Sequence, residues 1–226
     1  MNETEEITNN DVPRDSLPKF NVCICLPNMG HIHMALVVYL LKWLREFPPN
    51  TIDFFFSYRV AYIDRARNQD VEYVLESKKK YTHLLFIDSD TIPPRDGLLK
   101  LLHADKDIVT GMTPMLQYDR ENDHFARMYN CFIREYKEDG TLDRTITPTE
   151  DTGIIEIERC GSSFILIKRN VLESMEKPLY KFEFNDAHTQ HTRSEDIYFC
   201  DNAREAGYKI WCDTSVICKH YKEIMM

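Results

Sequence analysis

Two acids one residue apart close an apolar run in Leu84-Leu85-Phe86-Ile87-Asp88-Ser89-Asp90-Thr91-Ile92-Pro93-Pro94. On an extended chain, side chains two residues apart share a face. Asp88 and Asp90 can therefore reach one hard divalent cation, Mg2+ or Mn2+, which oxygen ligands suit. The four apolar residues before them read as a strand buried on both faces, and carboxylates at the end of such a strand call for a positive partner. An Asx turn ahead of the two prolines would use the same residues without any chemistry.

Other residues stand out by type and spacing. Val60, Ile63, Arg67, Val71 and Val74 follow three- and four-residue steps, which puts a guanidinium in the middle of an apolar helical stripe. That cation needs an anion, and a core carboxylate such as Asp70 or Asp88 would supply one. Thr192-Arg193-Ser194-Glu195 has the spacing of a capping box, which would make Glu195 structural, with Asp196 placed near the positive end of the helix. Cys160-Gly161-Ser162-Ser163 lies between strand-like runs, where the glycine permits close backbone approach and the hydroxyls can bind sugar, or where the segment is a β-bulge.

The elements that must position these groups alternate. "FNVCICLP" reads as a buried strand stopped at Pro27, "HMALVVYLLKWLREF" as a helix ended by Pro48-Pro49, and "TIDFFFS" as a second strand. "AYIDRARNQDVEYVLESKKK" is predicted to be a helix, "HLLFI" a third strand, "RDGLLKLLHAD" a short helix and "DIVTGM" a further strand. Regularity fails from Leu116 to about Asp151. "IIEIERCGSSFILIKR" then suggests paired strands with a bend, followed by the helix "SEDIYFCDNAREAG", with Gly207 as its stop, and the strand "YKIWCDTSVI". The expected fold class is α/β, a mostly parallel sheet with helices on both faces and a small antiparallel addition, with ligands at the carboxyl ends of the strands.

Composition narrows the classes. The chain of 226 residues, 43% hydrophobic, suffices for one well-buried core. A formal charge of -9 argues against non-specific nucleic-acid binding as the main task. Seven cysteines without a CxxC pair or zinc-like Cys/His spacing read as reduced core residues. The acidic amino terminus resembles neither signal peptide nor anchor, and no stretch of about 18 uninterrupted apolar residues follows. These features lead to the expectation of a soluble, cytoplasmic protein with a flexible tail over residues 1–18 and one domain over 19–226.

Taken in order, "CICLPNMG", "DRARNQ", "HLLFIDSDTIPP", "DIVTGM", "RCGSSFILIKR" and "SEDIYFCDNAREAGYKIWCDTSVICKH" resemble the motifs of family-two-like glycosyltransferases of GT-A type, often met in viruses and bacteria. The resemblance implies a Rossmann-like GT-A domain that moves a sugar from a nucleotide-diphosphate donor, a UDP- or GDP-sugar, to an acceptor hydroxyl. It further implies Mn2+ or Mg2+ held by Asp90, Asp88 and His220, and a donor site formed by Pro27, Arg67, Asn68, Asp88, Ser89 and Asp90. Asp196 would be the base of an inverting reaction, with Glu195, Gly161 and Ser162 toward the acceptor. The second strand ends "FFFSYR", without the acid often found there in this family, which leaves the nucleotide open. Asp88-Ser89-Asp90-Thr91 also resembles the nucleophile motif of haloacid-dehalogenase-type phosphatases. That reading ranks second, because it needs a later lysine and a second acidic strand end, and only Asp213 in "IWCDTS" comes near. A sugar-binding module without catalysis is a third alternative.

Overall fold

The computed structural model describes residues 19–119 and 124–221. In chain order the elements are β1 (Val22–Cys25), α1 (Met34–Glu46), β2 (Ile52–Phe55), α2 (Ile63–Glu76), β3 (His83–Ile87), β4 (Thr91–Ile92), α3 (Gly97–Ala104) and β5 (Ile108–Met112). The chain continues with β6 (Pro114–Asp119), β7 (His124–Tyr129), β8 (Cys131–Tyr136), β9 (Leu142–Ile146), β10 (Ile154–Ile157), β11 (Arg159–Cys160) and β12 (Phe164–Lys168). It closes with α4 (Arg169–Ser174), β13 (Glu183–Phe184), β14 (His191–Arg193), α5 (Glu195–Glu205), β15 (Ile210–Ile217) and β16 (Lys219–His220).

Seven strands form the central sheet in the order β10-β15-β5-β12-β3-β1-β2. β2, β1, β3, β5 and β15 run one way, while β12 and β10 run against their neighbours. The sheet is buried on both faces because its strands alternate apolar side chains between two cores. Cys23, Cys25, Leu84, Phe86, Ile165 and Ile167 face α2, α4 and α5, which contribute Val71, Val74, Val171, Leu172, Phe199 and Ala203. Val22, Ile24, Leu85, Ile87, Phe164 and Leu166 face α1 and α3, which contribute Leu36, Leu40, Trp43, Leu98 and Leu101. This is the expected α/β class with helices on both faces. All seven cysteines are buried free thiols, as read from their spacing. No helix among the described residues is long and apolar enough to cross a membrane.

Several expectations need correction. The region from Leu116 to Asp151 is not irregular where it is described: β6 pairs with β7, and β8 pairs with β9 and β11. The two runs of "IIEIERCGSSFILIKR" do not pair with each other. β10 joins β15 at the sheet edge, whereas β12 inserts between β3 and β5. Val60 precedes α2 and so takes no part in its stripe. The tail expected over residues 1–18 lies outside the described residues.

Candidate active site

The parallel register that pairs Cys25 with both Phe55 and Phe86 brings the ends of β1, β2 and β3 to one edge. Because β12 runs the other way, its start lies at the same edge, with Phe164 opposite Ile87. The Asp88 backbone N–H donates to Ser163 O at 3.0 Å, which pins the first acid to the segment that enters β12. Carboxyl ends of parallel strands are where α/β sheets gather ligands.

Arg67 lies at the centre of this edge, 2% exposed. Its Nη2 donates to Asp88 Oδ1 at 3.1 Å and its Nη1 to Ser162 O at 3.4 Å. Its Nε is 3.7 Å from Glu195 Oε1 and 3.6 Å from Asp196 Oδ1. Phe86 and Tyr180 present their rings to the guanidinium, at 5.1 and 5.7 Å from ring centroid to Cζ. Burial by itself would lower the arginine pKa, and the charges of Asp88, Asp196 and Glu195 more than reverse that. Of the two anions considered for Arg67, Asp88 is the partner within hydrogen-bond distance. Asp70 instead accepts from Ser57 Oγ at 3.1 Å.

Glu195 and Asp196 arrive at the first turn of α5, whose N-cap is Ser194. The capping box does not form: Thr192 belongs to β14, and Ser194 makes no side-chain capping bond. Glu195 turns inward toward Arg67, and burial together with the Asp196 charge pushes its carboxyl up to about 7, against the pull of Arg67. Asp196 is also raised by burial, opposed by Arg67 and by side-chain and backbone hydrogen bonds from Ser162. Its side chain is 24% exposed, against 8% for Glu195.

Asp90 and His220 meet because the two-residue strands β4 and β16 pair, His220 opposite Thr91. His220 Nδ1 must donate to Pro114 O at 2.8 Å, since a carbonyl only accepts, and Nε2 then faces Asp90 Oδ2 at 3.3 Å. Once deprotonated, that imidazole nitrogen together with the carboxylate oxygen forms a donor set suited to Mn2+. Among the described residues no group of three or more His, Cys, Asp or Glu is arranged to hold a metal ion. Two protein ligands nevertheless fit a cation that takes its remaining ligands from substrate phosphates. Among the described residues, Asp88, Asp90, Glu195 and Asp196 gather at this edge around the Arg67 guanidinium and the His220 imidazole.

Other predicted residues are placed differently. Asn68 uses its amide within the chain: Nδ2 donates to Asp64 O and Tyr180 O, and Oδ1 accepts from the N–H groups of Leu179 and Tyr180. It clamps the segment carrying Tyr180, whose ring stacks on Phe199 at 4.9 Å. Ser162 is 1% exposed and bonded to Tyr180 and Asp196. Gly161 donates its N–H to Asn130 O, and a Cβ there would approach Asn130 Nδ2 to 2.8 Å, so close packing explains the glycine. Pro27 is buried, and the exposed groups beside it are Met29, Gly30 and Tyr58. The Ser89 carbonyl accepts from His33 N at 2.9 Å.

His33 and Tyr221 escaped the sequence reading. Their rings stack at 3.7 Å against the acidic turn, and no periodic pattern marks either residue.

This arrangement defines a GT-A-like α/β fold with an acidic site at the strand ends. Solved structures that share the fold include two of note. A197 from STIV aligns at 21% identity and a TM-score of 0.57, over 90% of this chain and 86% of that one. GalNAc-T7, crystallised with UDP, GalNAc and Mn2+, aligns at 10% identity and a TM-score of 0.54, over 93% of this chain and 45% of that chain. No protein-family profile and no curated protein sequence matches the chain.

Proposed function

We propose that the protein is a metal-dependent glycosyltransferase that moves a sugar from a nucleotide-diphosphate donor to an acceptor hydroxyl. The observation that carries this reading is the convergence of Asp88, Glu195 and Asp196 on Arg67, beside the Asp90–His220 pair, at the strand ends of a GT-A-like fold. Likeness to a structure that holds UDP, GalNAc and Mn2+ supports a UDP-sugar and Mn2+ as the first pair to test, with a GDP-sugar and Mg2+ next.

Asp90 and His220 would hold the cation, with Asp88 nearby, and when bound it would neutralise the departing diphosphate. Asp88 is fixed by Arg67, so the turn that carries Ser89 and Asp90 keeps its position as charge develops. Asp196 is the base. Its carboxylate takes the acceptor hydroxyl proton, the oxygen attacks the anomeric carbon, and the bond to the diphosphate oxygen breaks with its electron pair. A single base opposite the leaving group implies inversion. Glu195 has a pKa better matched to neutral pH, but at 6% exposure beneath Arg67 it is the less accessible acid. It balances the guanidinium and passes its charge effect to Asp196. The phosphatase alternative would need a nucleophilic Asp88, and Asp88 is bonded to Arg67.

Thermal shift with UDP, GDP, CDP and dTDP sugars, with and without Mn2+, tests the reading. Stabilisation by one nucleotide only when metal is present is the expected result. Equal shifts with and without metal, or none at all, would remove the metal-dependent donor site.

A further inference from the structure

We infer that the stacked rings of His33 and Tyr221 are the positioning device that holds His220 beside Asp90; this rests on the metal reading above. β4 and β16 have two residues each, and so short a ladder has little stability of its own. Its order must come from what lies around it.

Among the described residues, three contacts supply that order. His220 Nδ1 bonds Pro114 O, and the Tyr221 N–H donates to Asp90 O at 2.9 Å. The third is the Tyr221 ring, which lies on the His33 ring with centroids 3.7 Å apart and planes 22° from parallel. His33 is itself fixed twice: its N–H donates to Ser89 O at 2.9 Å, and its Nδ1 caps α1 by accepting from Ala35 N at 3.2 Å. The result is a closed loop of contacts through Ser89, Asp90, Tyr221 and His33. It anchors the strand carrying His220 to the same turn that carries Asp90, with rigid α1 behind it. Partners that fix a metal ligand's orientation contribute as much as tenfold or more to metal affinity.

Five full-length proteins separate this role from simpler ones: wild type, Tyr221→Phe, Tyr221→Ala, His33→Asn and the double variant Tyr221→Ala/His33→Asn. Asparagine is a good N-cap, so His33→Asn keeps the start of α1 while removing the ring. Two readouts are taken: Mn2+ affinity in the presence of UDP, and amide hydrogen exchange of residues 219–221 without metal. Tyr221→Phe should match wild type in both. Tyr221→Ala and His33→Asn should each weaken Mn2+ binding about tenfold and speed exchange of the Tyr221 amide, and the double variant should be no worse than either single. Unchanged exchange in both single variants overturns the positioning role. Absence of Mn2+ binding in wild type overturns the metal reading instead, while the exchange arm still decides whether the stack holds the strand.

Discussion

Nε of Arg67 and Oδ1 of Asp196 lie 3.6 Å apart, and among the described residues neither of these buried atoms has a hydrogen-bond partner. The two groups are held by charge more than by a directed bond. One guanidinium thus neutralises acids from the β3 end and from the start of α5. Replacing it with alanine removes the cation that, among the described residues, Asp88, Glu195 and Asp196 share. Arg67→Ala is expected to destabilise the fold by roughly 3–5 kcal/mol, read from urea unfolding, because buried carboxylates lose their partner. Arg67→Lys keeps the charge but not the forked donors, and should fall between.

The two acids of α5 should separate kinetically. Asp196→Asn is expected to lower kcat by about 10²–10⁴-fold with little change in donor affinity, the size of a lost general base. Glu195→Gln should cost less. If Glu195→Gln proves the more damaging substitution in steady-state rates, the roles are exchanged.

Removing either end of the Asp90–His220 pair should uncouple nucleotide binding from metal. With wild type, Mn2+ and donor at about a hundredfold over Kd should raise Tm by about 5–10 °C. Asp90→Ala and His220→Ala are each expected to abolish the metal-dependent part of that shift and leave any metal-independent part in place.

The stability contributed by Glu195 and Asp70 should fall as pH rises. Burial lifts Glu195 from 4.5 to about 7 and Asp70 from 3.8 to about 7. Both folded-state values exceed the unfolded ones, so between about pH 4 and 7 the native state retains protons that the unfolded chain has released. The contribution of these two acids is therefore fully present at the acid end of that window, is lost up to about pH 7 and then levels off, opposed over about pH 4–6.5 by buried His83, whose pKa is lowered from 6.5 to about 4. Asp70→Asn mimics the protonated acid beside Ser57. It should flatten the profile, with a gain at pH 8 bounded at about 4 kcal/mol. Urea midpoints at pH 5 and 8 measure this.

Much of the sheet was legible because each central strand is short, apolar and bounded. "HLLFI" emerges as His83–Ile87, and Arg67 interrupts its stripe as read. The hairpins between Pro114 and Ile146 were not legible: β9 is exposed along most of its length, so no core face imposes alternation on its sequence. The partners of β12 were hidden for another reason. "FILIK" declares a buried strand, but not that it lies antiparallel between two strands already placed. At the site, Glu195 fits a local capping pattern, and only the arrival of Arg67 from another element turns it inward. His220 needed the motif resemblance, since its partner Asp90 is far away in sequence.

The position of β12 also sets the order in which a nascent chain can assemble. β1, β2 and β3 form a parallel ladder once residue 87 has emerged, but β3 and β5 cannot close on each other, because β12 must lie between them. At a synthesis rate of 5–20 residues per second, the 56 residues from Met112 to Lys168 take about 3–11 s to appear. For that interval the facing edges of β3 and β5 are apolar and unpaired, so ribosome-bound chains stopped just before Phe164 are where aggregation and chaperone capture should peak.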